Sequence, residues 1–336
     1  MFQETKFSSY YKGKNILVTG GTGYIGCSVV SQLSRLPCNI IILSKNSAKK
    51  YFLKNCKAKI SMCNADIRNK KIWTKLLTDK LDIIFHFAAQ TSARYANDNP
   101  SSDLAVNLLP VVNMIEACQY LKVFPDIVFS GTATEVGLTS KYPVNETHMD
   151  KPTTVYDINK LSAEKYLQYY SQETKGRAVT LRLANVYGPG MQSSSADRGI
   201  LNAMICRALE GQSITIYGEG KFVRDYIYID DVREAFLAAG ASMDTLKGKY
   251  YFIGSGRVCT IEKAFLKIKC IVKKKTGIIC SLAYIPTPVN SPMIELRNFV
   301  ANTAGFRAGT SWRPHVRLEE GIEKTIDYFN KERIQR

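Results

Sequence analysis

The sequence has no Cys-x-x-Cys pair, although it holds nine cysteines. That spacing argues against a zinc centre and a disulfide framework, and it fits a chain kept in a reducing compartment. Histidine is scarce. His86, His148 and His315 lie far apart in the chain, so no metal is expected, and His86, inside "IIFHFAA", reads as a core residue. Long apolar runs are missing: stretches such as "IIIL" fall well short of a membrane span. The N-terminal "MFQETKFSSYYKGK" has an early acid and lacks the apolar segment of a secretory signal. Zinc-finger spacing, aromatic-basic RNA motifs, heptads and internal repeats are also absent. Acidic residues are outnumbered, 29 against 46 basic ones, for a net charge of +17. Such an excess attracts nucleic acid, anionic membrane or phosphorylated small molecules. The lysines are dispersed, and the one dense run, "KIKCIVKKKTG", reads as a solvated face. The expectation is a cytoplasmic protein with no nucleic-acid and no membrane partner.

What is present is an alternation. With 336 residues, 45% apolar and 22% charged, the chain suits one large α/β unit or two domains. "NILVTG", "NIIILS", "KISMCNADI", "LDIIFHFAA", "DIVFSG" and "AVTLRLANVYG" read as strands. "YIGCSVVSQLSRL", "NKKIWTKLLTDK", "AVNLLPVVNMIEACQYL" and "VYDINKLSAEKYLQYYSQE" read as helices between them. Apolar strands alternating with helices predict a buried parallel sheet, doubly wound with right-handed crossovers. Beyond "VYGPGMQ" glycine, proline and serine punctuate shorter elements, as in "YGEGK" and "IPTPVNSP". The division expected is residues 1–186 for a cofactor domain and 187–336 for a smaller substrate-binding α/β domain. The amphipathic stretch 225–245 is expected to return to the first.

Chemistry concentrates in three places. "VTGGTGYIG" sets Gly20, Gly23 and Gly26 between a strand and a helix. Gly20 permits the tight turn, Gly23 lets a pyrophosphate approach the backbone, and Gly26 lets the helix pack closely. The helix N-terminus offers free N–H groups and a positive dipole end to phosphates. "VYDINK" places Tyr156 and Lys160 one helical turn apart. A phenol is a poor acid or base at neutral pH, and a neighbouring ammonium favours its ionised form. Thr132, in "VFSGTATEVG", falls at the C-terminal end of a strand, where open α/β sheets place their ligands.

In their order and spacing, "TGGTGYIG", "ADIR", "FHFAAQTS", "VFSGTATEVG", "YDINK", "RLANVYGPG", "RDYIYIDDV" and "WRPHVRLEEGIEKTIDYF" resemble the extended short-chain dehydrogenase/reductase family. These are nucleotide-sugar epimerases, dehydratases and ketoreductases, and the likeness spans nearly the whole chain. It implies a Rossmann-type sheet, with Tyr156 as acid/base, Lys160 on the nicotinamide ribose, and Thr132 at the sugar oxygen. The cofactor would be held by Gly20, Thr22, Gly23, Tyr24, Ile25 and Gly26, with Asp66 and Ile67 at the adenine. Ala88, Ala89, Gln90 and Asn107 would lie along it, Gln90 also reaching substrate. Asn185, Asn202, Arg224 and Arg297 would contact a nucleotide-diphosphate sugar, Arg224 at the diphosphate. A homodimer through the helices holding Asn107–Tyr120 and Tyr156–Ser171 is implied as well.

Two departures sharpen the reading. NAD-using relatives close the second strand with an aspartate for the ribose 2′-hydroxyl. Ser44 and Lys45 stand there instead, with Lys49 and Lys50 following, which points to NADP(H), with NAD(H) as the alternative. The sugar 4,6-dehydratases carry an acidic pair after the Ser/Thr. Ala133 and Thr134 occupy those places, and Glu135 is expected to face elsewhere. The leading expectation is NADP(H)-dependent reduction at C4 of an NDP-4-keto sugar, with a 4-epimerase next, then a 4,6-dehydratase. A cofactor-binding regulator without activity is the non-enzyme alternative.

Overall fold

The computed structural model describes residues 7–45, 56–190, 199–289 and 291–334; Lys49 and Lys50 lie outside them. The chain begins with alternating strands and helices: β1 (Asn15–Thr19), α1 (Tyr24–Leu33), β2 (Asn39–Ser44), β3 (Lys59–Asn64), α2 (Lys70–Leu76) and β4 (Ile83–His86). It continues through α3 (Ala93–Asp98), α4 (Pro100–Asn107), α5 (Leu109–Leu121), β5 (Asp126–Thr132), α6 (Val155–Glu173) and β6 (Arg177–Leu183). These six strands and a seventh, Lys249–Ile253, form one sheet of order Lys249–Ile253, β6, β5, β4, β1, β2, β3. All pairings are parallel.

Period-two alternation sends successive side chains to opposite faces. Ile16 and Val18 meet Val29, Val30 and Phe236 in one core; Leu17 between them joins Trp73, Met114 and Leu167 in another. Helices cover both faces, α1 and Ile229–Ala241 on one side, α2, α5 and α6 on the other. Covered on both faces, β4 is buried throughout, whereas β3, "KISMCN", lies at the edge and is the most exposed strand of the sheet. The chain builds outward from β1 through β2 to β3, then crosses to β4 on β1's other flank. Strand order reverses between β1 and β4, and ligand crevices form at the carboxyl ends of strands at such a point.

Two elements differ from the sequence expectation. The stretch expected as one helix through "AVNLLPVVNMIEACQYL" is two, broken at Leu108 (φ −112°, ψ −57°). Pro110 explains the break, since it lacks an N–H and its ring crowds the carbonyl four residues back. Taken together, Pro100–Leu121 is long and apolar enough to cross a membrane by length and composition; here it packs against α2 and α6. The strand expected over "AVTLRLANVYG" ends at Leu183 and resumes as Asn185–Tyr187, which pairs with Tyr226–Tyr228 outside the large sheet.

Beyond that crossing, helices Ile200–Leu209, Ile261–Thr276 and Leu318–Ile334 enclose a separate core with the paired strands Ile214–Tyr217 and Leu282–Ile285. The chain also returns. Ile229–Ala241 packs on α1, Lys249–Ile253 enters the large sheet, and Phe306 and Trp312 join its core.

Candidate active site

The glycine turn sits at the β1/β4 switch point. Gly20 has φ +64°, and a Cβ there would lie 2.7 Å from the Ala88 backbone nitrogen. The loop after β4 is thus pressed against the turn after β1. A Cβ on Gly26 would collide with the Gly20 carbonyl oxygen, so the helix starts as close to the strand as backbone allows. Gly23 caps α1 with no side chain, leaving the first-turn N–H groups of Tyr24, Ile25 and Gly26 without intrahelical partners. Bare backbone, a helix N-terminus and a crevice fit a dinucleotide's pyrophosphate.

At the outer end of the crevice, Thr22 and Ser44 hydroxyls lie 2.6 Å apart. Lys45 is not the free cation its sequence position suggested: its ammonium lies 2.9 Å from an Asp66 carboxylate oxygen. β2 and β3 pair in register up to Ser44 and Asn64, so the residues that follow each strand emerge side by side. Arg68, missed in the sequence although "ADIR" contains it, donates to the same oxygen through Nε (2.9 Å) and Nη2 (2.6 Å). Partial burial would raise the Asp66 carboxyl, but Arg68 and Lys45 hold it well below the usual carboxylate range. Ile67 is buried behind it.

Thr132 ends β5 and opens a short 3₁₀ turn, Ala133–Val136. Glu135 points inward, accepting from Thr132 N–H at 2.9 Å and pairing with Arg182 at 2.9 Å. Arg182, fully buried, also meets Glu164 (2.7 Å) and Asp150 (2.5 Å). Glu135 therefore faces away from the crevice, as expected of it. Burial raises its carboxyl, and Arg182 opposes the rise. Thr154 caps α6 by accepting from Asp157 N–H. Tyr156, in the helix's first turn, stays half-buried. Lys160, one turn on, is 2% exposed, its ammonium 3.9 Å from the centre of the Phe129 ring. Burial lowers its pKa, with Glu135, Asp103 and Glu164 acting in the opposite sense.

Asp103 is a hub that sequence reasoning missed. Fully buried, it accepts from Gln90 (2.7 Å), Asn107 (2.8 Å) and Asn159 (2.8 Å). Asn107 also donates to the Gln90 carbonyl at 2.8 Å, tying the loop after β4 to α4. The Asn107 Oδ1 atom is buried without a partner among the described residues. His86 lies buried at the end of β4, 3.1 Å from the Thr19 hydroxyl, and burial together with Lys160 lowers its pKa to about 3. It is a neutral core residue.

The remaining residues come from where the chain leaves the sheet. Asn185 donates to the Asp225 carbonyl at 3.1 Å and accepts from Arg297 at 3.3 Å. Arg224 is 4% exposed; its guanidinium donates to the carbonyls of Val223 (3.2 Å), Glu295 (2.7 Å) and Arg297. Burial and the neighbouring Arg297 charge lower its pKa to about 10. The nearest carboxylate, Glu295, stands 3.8 Å off and is 58% exposed. Two guanidinium groups thus adjoin with little to neutralise them. Asn202 lies elsewhere. Its amide is taken up at both ends by Gly188, at 3.0 and 2.9 Å, and meets the Tyr24 hydroxyl at 3.4 Å. Tyr24 in turn donates to the Gly188 carbonyl at 2.9 Å.

The family model for the NAD dependent epimerase/dehydratase family matches residues 16–254. The chain belongs to that family. Among curated relatives, it is 29% identical over 315 residues to a putative UDP-glucose 4-epimerase of Methanocaldococcus jannaschii, covering 94% of this chain and 98% of that one. It is 28% identical over 316 residues to the UDP-glucose 4-epimerase of Mycolicibacterium smegmatis, covering 93% and 97%. Among solved structures, the UDP-glucose 4-epimerase of Thermotoga maritima with UDP-glucose superimposes at a TM-score of 0.84, with 30% identity and 95% and 99% coverage. The Thermus thermophilus UDP-glucose 4-epimerase with NAD gives 0.80, with 28% identity and 94% and 99% coverage. Membership in the epimerase/dehydratase family agrees with the switch-point turn, Thr132, and the Tyr156–Lys160 pair on α6.

Proposed function

We propose that the protein is a nucleotide-sugar 4-epimerase, with a UDP-hexose as the first substrate to try. The observation that carries the reading is the convergence at the sheet's carboxyl edge. Thr132 ends β5, Tyr156 and Lys160 lie in the first two turns of α6, and the glycine turn follows β1, all at that edge; the chain then crosses at Ala184 to Asn185 and the adjoining Arg224 and Arg297. One side suits a dinucleotide and the other a diphosphate. In this arrangement residues of the large sheet and its helices serve the cofactor, and the lobe beyond Ala184 serves the sugar nucleotide.

A bound nicotinamide dinucleotide would supply the hydride acceptor and donor. Gly20, Gly23 and Gly26 would admit its pyrophosphate, and Asn107 and Lys160 its ribose hydroxyls. Tyr156 takes the C4 hydroxyl proton and later returns it, and Lys160 favours the phenolate through its positive charge. Arg224 and Arg297 hold the nucleotide diphosphate. Ala133 and Thr134 provide no acid for dehydration.

A second reading, reduction of an NDP-4-keto sugar, is favoured by Ser44 and Lys45. No acid closes β2, and Lys45 and Arg68 set two cations against one carboxylate, so a 2′-phosphate, and hence NADPH, is acceptable there. The two readings part on one experiment. Incubation with UDP-glucose and a panel of nucleotide sugars, read by NMR, yields C4 epimers without added reductant for an epimerase. A reductase oxidises NADPH stoichiometrically with an NDP-4-keto sugar. No turnover in either assay refutes both.

We also propose a homodimer. Leu104, Leu109, Ile158, Tyr166 and Tyr169 are exposed on α4, α5 and α6, an apolar face on packed helices. Sedimentation at a single monomer mass would refute it.

A further inference from the structure

Asp225 follows Arg224 in the chain and is fully buried. Its carboxylate is taken up on both sides. Oδ1 accepts from the Ser255 N–H at 2.7 Å and from the Ser255 hydroxyl at 2.6 Å. Oδ2 accepts from the N–H groups of Gly256 and Ala301, both at 3.0 Å. The Asp225 backbone carbonyl takes the Asn185 N–H at 3.0 Å and the Asn185 side-chain amide at 3.1 Å. One residue thus joins three lengths of chain: the crossing at Asn185, the turn after Lys249–Ile253, and the segment that carries Arg297. The joint is tightly packed. A Cβ on Gly254 would collide with Asp225 Oδ2 and lie 2.6 Å from the Ala301 Cβ. Burial pushes the Asp225 carboxyl up; the Ser255 hydroxyl and the N–H groups of Ala301, Ser255 and Gly256 oppose the rise.

Arg224 and Arg297 need such a fastening. Their guanidinium groups adjoin, and like charges in a poorly solvated place repel. Arg224 holds the near end of the Arg297 segment through the carbonyls of Glu295 and Arg297, and the Val223 carbonyl takes the Phe299 N–H. Asp225 closes the far end at Ala301. Through Asn185, which accepts from Arg297 at 3.3 Å, it reaches the Arg297 side chain as well. A carboxylate accepts about four hydrogen bonds, and Asp225 makes all of them to its own chain. It has none to give a substrate.

We propose that Asp225 is a positioning residue for the nucleotide diphosphate: it fastens the Arg297 segment to Arg224, so that two guanidinium groups stand together before any phosphate arrives. The inference rests on the reading that these two arginines hold a diphosphate. A clamp built in advance loses little binding free energy to ordering its own arms. Asp225 acts on the diphosphate end of the substrate and not on the hydroxyl that reacts. Its loss should therefore raise KM and leave kcat unchanged.

Calorimetric titration with nucleoside diphosphates, UDP first, reads the clamp. Asp225→Ala should weaken binding about tenfold and leave NAD affinity unchanged. Asp225→Asn keeps one oxygen, which can still take the Gly256 and Ala301 N–H groups, and should lose less. Gly254→Ala retains the carboxylate but forces it away from Ala301, and should weaken binding as Asp225→Ala does. With a nucleotide sugar that is turned over, Asp225→Ala and Gly254→Ala should raise KM about tenfold at constant kcat. Parental affinity in either variant, an equal loss of NAD affinity, a fall confined to kcat, or as large a loss in Asp225→Asn overturns the proposal. Amide hydrogen exchange on the parent chain needs no variant to fold. The N–H groups of Ser255, Gly256 and Ala301 should be protected without ligand, and UDP should add little. Protection that arises only with UDP overturns the proposal. A parent chain that binds no nucleoside diphosphate refutes the functional reading and this inference together; one that binds it as tightly after Asp225→Ala refutes this inference alone.

Discussion

The ammonium of Lys45 lies 2.9 Å from a carboxylate oxygen of Asp66, at the ends of two neighbouring strands. The contact ties the residue expected to greet a 2′-phosphate to the one expected at the adenine. With Arg68 on the same oxygen, the cluster keeps a surplus positive charge. Ser44→Asp with Lys45→Ala reverses that sign. It should weaken NADPH relative to NADH by about tenfold or more, since charge-assisted contacts are lost and a repulsive carboxylate is gained. Calorimetric titration with both cofactors checks this; an equal change in the two affinities would place the 2′-phosphate elsewhere.

Tyr156→Phe removes the hydroxyl proposed to carry the proton and little else. Turnover should drop by ~10²–10⁴, the usual worth of a positioned acid/base group, while cofactor affinity persists. Near-normal turnover would remove Tyr156 from the chemistry.

Lys160→Met tests a buried charge. The side chain is 2% exposed, and Asp103, Glu135 and Glu164 each have other partners. Turnover and cofactor affinity should both fall while the thermal midpoint holds. The pH dependence of stability should change as well. Burial lowers the Lys160 pKa, so the folded chain sheds a proton that the unfolded chain keeps up to about 10.4. Stability contributed by this group therefore rises with pH just below that value, and the Met variant loses the rise. Denaturant titrations across that range measure it.

Arg297→Ala should weaken UDP-glucose binding about tenfold by removing one guanidinium from the diphosphate. Arg224→Ala should do so too and also lower the melting temperature, because Arg224 holds three backbone carbonyls. Equal nucleotide-sugar affinity in Arg297→Ala and the parent chain would place the diphosphate elsewhere.

The sheet and its switch point were legible because β1, β2 and β4 are continuous apolar runs and the glycines fall between a strand and a helix. Tyr156 and Lys160 were legible because one helical turn separates them. Asp103 and Arg182 were not. Each is a charged residue with no local pattern, made meaningful by partners far along the chain. Arg182, for instance, sits in an apolar strand and meets Glu135, Asp150 and Glu164 from three separate segments. The Leu108 break was readable from Pro110, and the Ala184 crossing could not be read because "LRLANVY" keeps its apolar character across both strands.

That crossing at Ala184 has a consequence for how the molecule comes apart. The chain leaves the large sheet after Leu183, returns with Ile229–Ala241 and Lys249–Ile253, leaves again for Ile261–Thr276, returns at Phe306 and Trp312, and leaves once more for Leu318–Ile334. Neither lobe is a continuous length of polypeptide. Cutting the chain at a single point cannot release either as a self-sufficient piece. The second core is instead assembled from segments separated by pieces of the sheet, which binds the two into one cooperative melting unit.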